Sequence, residues 1–244
     1  FINEQKTQSV ELLEDLVIPY LSDLELFIKS KGTDIELNES SQKLSNNKTM
    51  KKFQLKSGFL TGIHKKYPGS GYIDFHNDNL FVLSSRGILA FNNESLDVKH
   101  LKQVRNNIDE FISSEQFKKD SRFSIKDLLI VEDKIFVSFS EEIENNCWNT
   151  SLIYADINYE DIKFVKLFSA KEQVKDKFKY SKCIHISGVD GEFHPNQSGG
   201  RIINLDDDHI LFSTGEYRAR DLAQNKKSVN AVSYTHLTLP TIGC

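Results

Sequence analysis

The sequence predicts an all-β chain, a partial β-propeller of about three blades preceded by an N-terminal helical segment. Two observations carry this. One unit recurs three times, as IDFHNDNLFVLSSRG (residues 73–87), LLIVEDKIFVSFS (128–140) and IINLDDDHILFSTGE (202–216). Each is an apolar strand, a turn rich in acidic or amide residues and a second apolar strand ending in small polar residues. This is the pattern of a hairpin, because Asp and Asn side chains bond the nearby backbone and tolerate left-handed conformations. Further strand-like segments at Ile88 to Phe91, Ser151 to Ile157 and Phe164 to Phe168 bring each unit to about four strands. Antiparallel units of that size, recurring at roughly 55 to 75 residues, suggest blades better than a sandwich. A closed ring takes four to eight blades, so a longer native chain is expected.

The elements follow in order. Val10, Leu12, Leu13, Leu16, Val17, Leu21, Leu24, Phe27 and Ile28 recur at a mostly helical period broken by Pro19, which predicts a helical segment over residues 1–32 with one apolar face. Residues 33–52 are polar and almost free of large apolar groups, so they predict a linker, with the main domain running from residue 53 to 231. Between Ser95 and Lys119 the spacing of Val98, Leu101, Val104, Ile108, Phe111 and Ile112 predicts a helical insertion. From Val232 the text changes abruptly to VSYTHLTLPT, which resembles the in-frame translation of a sequencing adapter. Residues 232–244, Cys244 included, are therefore set aside as a non-native tail. The chain starts at Phe1 without the basic-then-apolar pattern of a secretory signal, so the native start is expected further upstream.

Composition removes several function classes. Lys and Arg number 31 against 35 acidic residues, a net charge of -4, which supplies no field for holding a nucleic acid. No run of 18 apolar residues occurs, so no membrane span is predicted. Cys147 and Cys183 form no Cys-x-x-Cys pair. They fit either two free buried thiols or a disulfide, whose loop closure would contribute about 4 kcal/mol in the chain-entropy model.

Chemistry-bearing residues concentrate in HPNQSGGRIIN, residues 194–204, with Arg201, Arg218 and Arg220 close by in a chain of only six arginines. Paired glycines let a backbone approach a ligand or take a positive φ, and an imidazole can accept a proton near neutral pH. A glycine-rich turn with its arginines paired to Asp or Glu is the plainer alternative. Cys183, His185 and His194 lack a second closely spaced ligand pair, so no metal site is predicted. Asp206, Asp207 and Asp208 lack the spacing of a calcium loop and predict a hairpin turn. Asn-x-Ser/Thr triplets such as Asn47-Lys48-Thr49 are expected by chance at this Asn and Ser content.

The stretch HPNQSGGRIINLDDDHILFSTGEYRARDLAQN (194–225) resembles the soluble quinoprotein glucose dehydrogenase and sorbosone (aldose sugar) dehydrogenase family. The resemblance rests on QSGGR (Gln197 to Arg201), GEYR (Gly215 to Arg218) and DLAQN (Asp221 to Asn225), and more weakly on SIKDLLIVEDKIFVSFS and NTSLIYADIN before them. It implies a six-bladed propeller, with pyrroloquinoline quinone (PQQ) and calcium as cofactors held mostly by residues beyond 231. It also implies oxidation of a small sugar, alcohol or aldehyde, a periplasmic or secreted location, and bridging of Cys147 with Cys183. The family's base histidine stands immediately before the position of Gln197, where this chain has Asn196. His194 is the nearest imidazole and is expected as the base, with Asn196, Gln197, Arg201 and Arg218 at the substrate or cofactor mouth. The other expectation is a non-catalytic propeller that binds a glycan or a protein, since a fold alone confers no chemistry.

Overall fold

The computed structural model describes residues 34–55, 71–93, 99–120, 122–170, 183–186, 193–225, 228–231 and 234–238. The expected N-terminal helical segment lies outside the described residues. The chain divides into two compact units, residues 1–106 with 159–161, and residues 107–158 with 162–244.

The first unit is one antiparallel sheet. Strands β1 (Ile35–Lys43), β2 (Thr49–Leu55), β3 (Gly71–His76), β4 (Asn79–Ser84), β5 (Leu89–Asn93) and β6 (His100–Asn106) lie in the order β2-β1-β6-β5-β4-β3. The run β3 to β6 is an up-and-down meander. Its first hairpin closes on a two-residue turn between His76 and Asn79, and Asn77 takes the left-handed conformation there (φ 51°), which an amide side chain tolerates. The next turn is shaped by Ser84, whose Oγ accepts from the backbone N–H of Arg86 (3.2 Å) and Ile88 (3.0 Å). Small polar residues at strand ends thus build turns.

Two expectations are corrected here. Residues 100–106 of the predicted helical insertion form β6, followed by a 3-10 turn (Ile108–Glu110) and a short helix α1 (Ser114–Lys119). The period-three spacing misleads because the sheet is buried on both faces. Leu101 packs with Ile35, Val82 and Ala90, while Val104 pairs with Leu89 on the opposite face, and both are nearly fully buried. The predicted linker 33–52 is instead mostly the β1–β2 ribbon, so the first sheet begins well before residue 53. Its polar composition is real: beyond Ile35 and Leu37, β1 is exposed throughout.

In the second unit, β7 (Ile125–Val131), β8 (Lys134–Glu144), β9 (Cys147–Asp156) and β11 (Val165–Phe168) are followed by β12 (Ile184–His185), whereas the short β10 (Asp161–Ile162) pairs with β6. The sheet order is β11-β9-β8-β7, a second four-stranded meander, with β12 paired to the start of β9. Glu132, in the β7–β8 turn, is left-handed (φ 50°). Helix α1 is capped by Ser113, whose side chain accepts from the Gln116 N–H. Gln116 in turn pins the helix to the sheet by donating to the carbonyl of Ser140 at 2.6 Å.

A third sheet holds β13 (Gly199–Asp206), β14 (His209–Thr214) and β15 (Tyr234–Thr238) in that order. Its Asp-rich segment is a hairpin turn, where the Asp208 N–H donates to Asp206 Oδ1 (3.0 Å). His209 bonds the same carboxylate and holds it below its usual range. Strand β15 comes from the adapter-like text. An open edge accepts any extended segment through main-chain bonds, so this pairing reflects the edge of β14 and not the origin of the tail. Phe136, Leu152 and Phe168 of the second sheet pack against Ile202, Ile210 and Phe212 of the third. Each such side chain contributes about 1.5–3 kcal/mol of transfer free energy. The class is all-β, a partial β-propeller of two four-stranded meanders and a third sheet.

Candidate functional site

The 194–204 stretch enters the fold as a 3-10 turn, Pro195–Gln197, that leads directly into β13. Proline at the first position pre-sets the turn and forfeits no needed donor. The GEYR loop after β14 lies against it. The Gly215 N–H donates to the Ser198 carbonyl (2.6 Å), the Tyr217 N–H to the Gln197 carbonyl (3.1 Å) and the His194 N–H to the Tyr217 carbonyl (3.3 Å). The two motifs therefore form one cradle of crossed chain segments.

Glycine is required there by contact. A Cβ on Gly215 would stand 2.0 Å from the Gln197 carbonyl oxygen, and one on Gly200 (φ 103°) would stand 2.4 Å from Lys126 Cβ. The space these glycines leave is filled by the protein itself. Beneath them, small polar residues within β8 and β9 satisfy the cradle's carbonyls. Ser138 Oγ donates to Gly200 O (2.5 Å), and Thr150 Oγ1 donates to Ser198 O (2.5 Å). Asn230 Nδ2 donates both to Gly215 O (2.6 Å) and to Asn149 Oδ1 (3.1 Å). The sequence reading stressed the glycines and not these supports, although the polar runs SFS and NTS, which lie inside β8 and β9, are visible in the sequence.

Tyr217 anchors the loop from inside. It is fully buried, stacks on Phe193 (centroids 5.2 Å apart) and bonds the Thr150 hydroxyl through its own at 3.0 Å. Burial pushes its phenol up to about 12. Phe123 and Trp148, stacked 3.5 Å apart, complete this aromatic cluster with Ile184. Tyr217 (φ 50°) and Arg218 (φ 78°) are successive non-glycine residues in the left-handed region. Each costs about 1–2 kcal/mol, and such strain persists only where surrounding contacts over-determine it.

The predicted site residues divide into two groups. His194, Asn196, Gln197 and Arg218 are brought to the cradle; Asn196 and Gln197 are exposed. The Nδ1 of His194 is shielded from solvent and has no hydrogen-bond partner among the described residues. Arg201 is placed differently. Its guanidinium reaches the carboxylate of Asp127 on β7 (3.2 Å), and the other Asp127 oxygen accepts from the Ile202 N–H (2.8 Å). Asp127 is buried whereas the Arg201 side chain is 76% exposed, so the ion pair caps a buried carboxylate at the surface. On the other side of Gly200, Lys126 donates to the Arg122 carbonyl (2.5 Å), and burial lowers its ammonium to about 8. Cys147 and Cys183 are joined in a disulfide with Cα atoms 5.3 Å apart, which leaves Cys183 no thiolate to offer a metal beside His185 and His194.

Among the described residues no group of three or more His, Cys, Asp or Glu side chains is placed to hold a metal ion, and no helix is long and apolar enough to cross a membrane. The described residues therefore offer no side-chain donor set for calcium.

Comparison with solved structures returns two glucose dehydrogenase chains at a TM-score of 0.44 and 13% identity. Each match covers 68% of this chain and respectively 46% and 43% of theirs. The soluble aldose sugar dehydrogenase of Escherichia coli, in its apo-form, matches at a TM-score of 0.42 and 12% identity, over 66% of this chain and 41% of that one. The chain spans less than half the length of these proteins. No family model matches it, and no curated protein does.

Proposed function

We propose that this chain is part of a propeller dehydrogenase that oxidises a sugar or a related alcohol or aldehyde, with the 194–201 and 215–218 cradle as one wall of its substrate mouth. The observation that carries the proposal is the strained Tyr217-Arg218 pair locked against the turn that follows His194. Paired left-handed residues are costly, and a site is where such cost is commonly kept. His194 supplies a half-buried imidazole as the group to take the proton of a substrate hydroxyl, through whichever ring nitrogen the substrate reaches; its Nδ1, shielded from solvent, has no partner among the described residues. Arg218, presented by the strained turn, is suited to bond the remaining hydroxyls. Oxidation also removes two electrons. The described residues contain no acceptor for them, so the PQQ and calcium implied by the sequence resemblance belong to the proposal for the whole protein, and so does a periplasmic or secreted location.

A second proposal, a non-catalytic glycan-binding propeller, is favoured by one observation: the exposed side chains of the turn are the amides Asn196 and Gln197, which bond hydroxyls but cannot act as bases. One experiment separates the two. The full-length protein, supplied with the quinone and calcium, is assayed for dye reduction with a panel of aldoses and alcohols. The first proposal expects turnover that falls about a hundredfold or more in His194→Gln. Quinone binding without turnover on any substrate overturns the enzyme. Turnover unchanged in His194→Gln overturns the assignment of the base.

A further inference from the structure

The β1–β2 ribbon extends past the sheet from which it springs. Residues 38–52 are exposed on both strands, and a two-stranded ribbon with no covered face is marginal in water. Its side chains are sorted by strand alternation. Lys52 stands opposite Ser40 and Met50 opposite Gln42, so Lys52, Met50 and, one step further, Lys48 share a face. Leu44 continues the Ser40 and Gln42 row at the tip, where its N–H donates to the Lys48 carbonyl at 2.8 Å. Leu44 and Met50 are 40% and 44% exposed, among the large apolar side chains that the described surface leaves in water.

Charge is equally uneven. Between Ser40 and Lys52 the sequence has Lys43, Lys48, Lys51 and Lys52 and no acidic residue, within a chain of net charge -4. On the opposite face Lys51 meets Glu39 at 3.6 Å. Among the described residues no carboxylate pairs with Lys48 or Lys52. The exposed tip is therefore apolar at its centre, cationic around it and uncompensated.

We propose that this tip docks on an anionic lipid bilayer, with Leu44 and Met50 entering the headgroup boundary and Lys48 and Lys52 meeting lipid phosphates. Chemistry favours lipid over other anions. A soluble polyanion gives the exposed Leu44 and Met50 nothing to bury in, and the tip carries no aromatic ring for a nucleobase to stack on. Long, flexible Lys and Met side chains on a projecting ribbon suit a fluid plane better than a shaped protein pocket. The inference is independent of the dehydrogenase proposal and leaves the cradle untouched.

The test is sedimentation of the purified full chain with vesicles of phosphatidylcholine alone or with about 30% phosphatidylserine, in 0.1 M and 0.5 M salt. Binding is expected only to the anionic vesicles and is expected to weaken at the higher salt. Lys48→Glu with Lys52→Glu should weaken it more than about 25-fold, since each neutralised lysine alone accounts for about fivefold. Leu44→Ser with Met50→Ser, which keeps every charge, should weaken it about tenfold. Circular dichroism checks that each variant keeps its strands. Absence of binding overturns the proposal, as does equal binding to both vesicles. Binding unchanged in the Leu44/Met50 variant, together with equally tight binding to soluble heparin, overturns it in favour of a polyanion site.

Discussion

Tyr217 and Lys126 set opposite alkaline slopes on the stability of this protein. Burial raises the Tyr217 phenol from 10.0 to about 12, although the Thr150 and Ser140 hydroxyls favour its ionised form. The unfolded chain therefore ionises this tyrosine first. Its contribution is complete below pH 10 and is lost as pH rises towards 12, at about 1.4 kcal/mol per pH unit and on the order of 2–3 kcal/mol in all. Lys126 behaves in the reverse sense. Burial lowers it from 10.5 to about 8, with Asp120 opposing the shift and Arg122 adding to it. Its contribution is present above pH 10.5 and is lost as pH falls to 8, about 1–2 kcal/mol once its partial exposure is allowed for. The profile should rise from pH 8 to 10 and fall beyond. Urea unfolding, followed by the fluorescence of the sole tryptophan, Trp148, reads this directly. Tyr217→Phe should cost about 1 kcal/mol at pH 8, where Thr150 keeps its bond to Ser198, and should flatten the fall between pH 10 and 11. Lys126→Met should remove the rise between pH 8 and 10. Parallel wild-type and Tyr217→Phe curves above pH 10 would refute the reasoning.

Three further outcomes are expected. Gly215→Ala places a methyl 2.0 Å from the Gln197 carbonyl oxygen with backbone on the other side as well, and should lower stability by about 3 kcal/mol or more in a thermal melt. An unchanged melting temperature would show that the two motifs do not cross as described. Asp127→Ala should cost about 2–3 kcal/mol because the buried Ile202 N–H loses its acceptor, whereas Arg201→Ala should stay within about 0.5 kcal/mol; equal losses in a urea titration would make the exposed guanidinium the essential partner. Gln103 is buried, and among the described residues neither its amide oxygen nor its nitrogen is bonded, so Gln103→Leu should be neutral or stabilising by about 1 kcal/mol, and a loss above 2 kcal/mol would reveal a bond to that amide.

The sequence disclosed what local rules control and concealed what distant contacts decide. All three hairpins were legible because Asn77-Asp78, Glu132-Asp133 and Asp207-Asp208 interrupt apolar strands, and turn chemistry acts over two residues. Strand β6 was hidden because a sheet covered on both faces loses the alternation that marks a strand, leaving Leu101 and Val104 to imitate a helical period. The β1–β2 ribbon was hidden for the opposite reason: apart from the partly buried Phe53, no face is covered beyond Leu37, so its composition is that of a linker. At the cradle, the quoted motif marked a stretch of chain but not the neighbours that surround it. The pair Gly199-Gly200 suggested room for a ligand, yet Gly215 and Lys126 occupy that room. Arg201 suggested a mouth residue, yet Asp127, far back in the sequence on β7, holds it. A glycine in sequence states only that a side chain is forbidden, and the neighbour that forbids it becomes known when the second chain segment is in place. The left-handed Tyr217-Arg218 step is the other feature that the quoted motif does not announce, since neither residue is a glycine. The buried ring of Tyr217 anchors the first of the two, and the half-buried Arg218 follows it at the end of a costly turn. Strain of this kind is commonly kept at sites, and for this reason the proposed mouth is centred on that step instead of on the glycines.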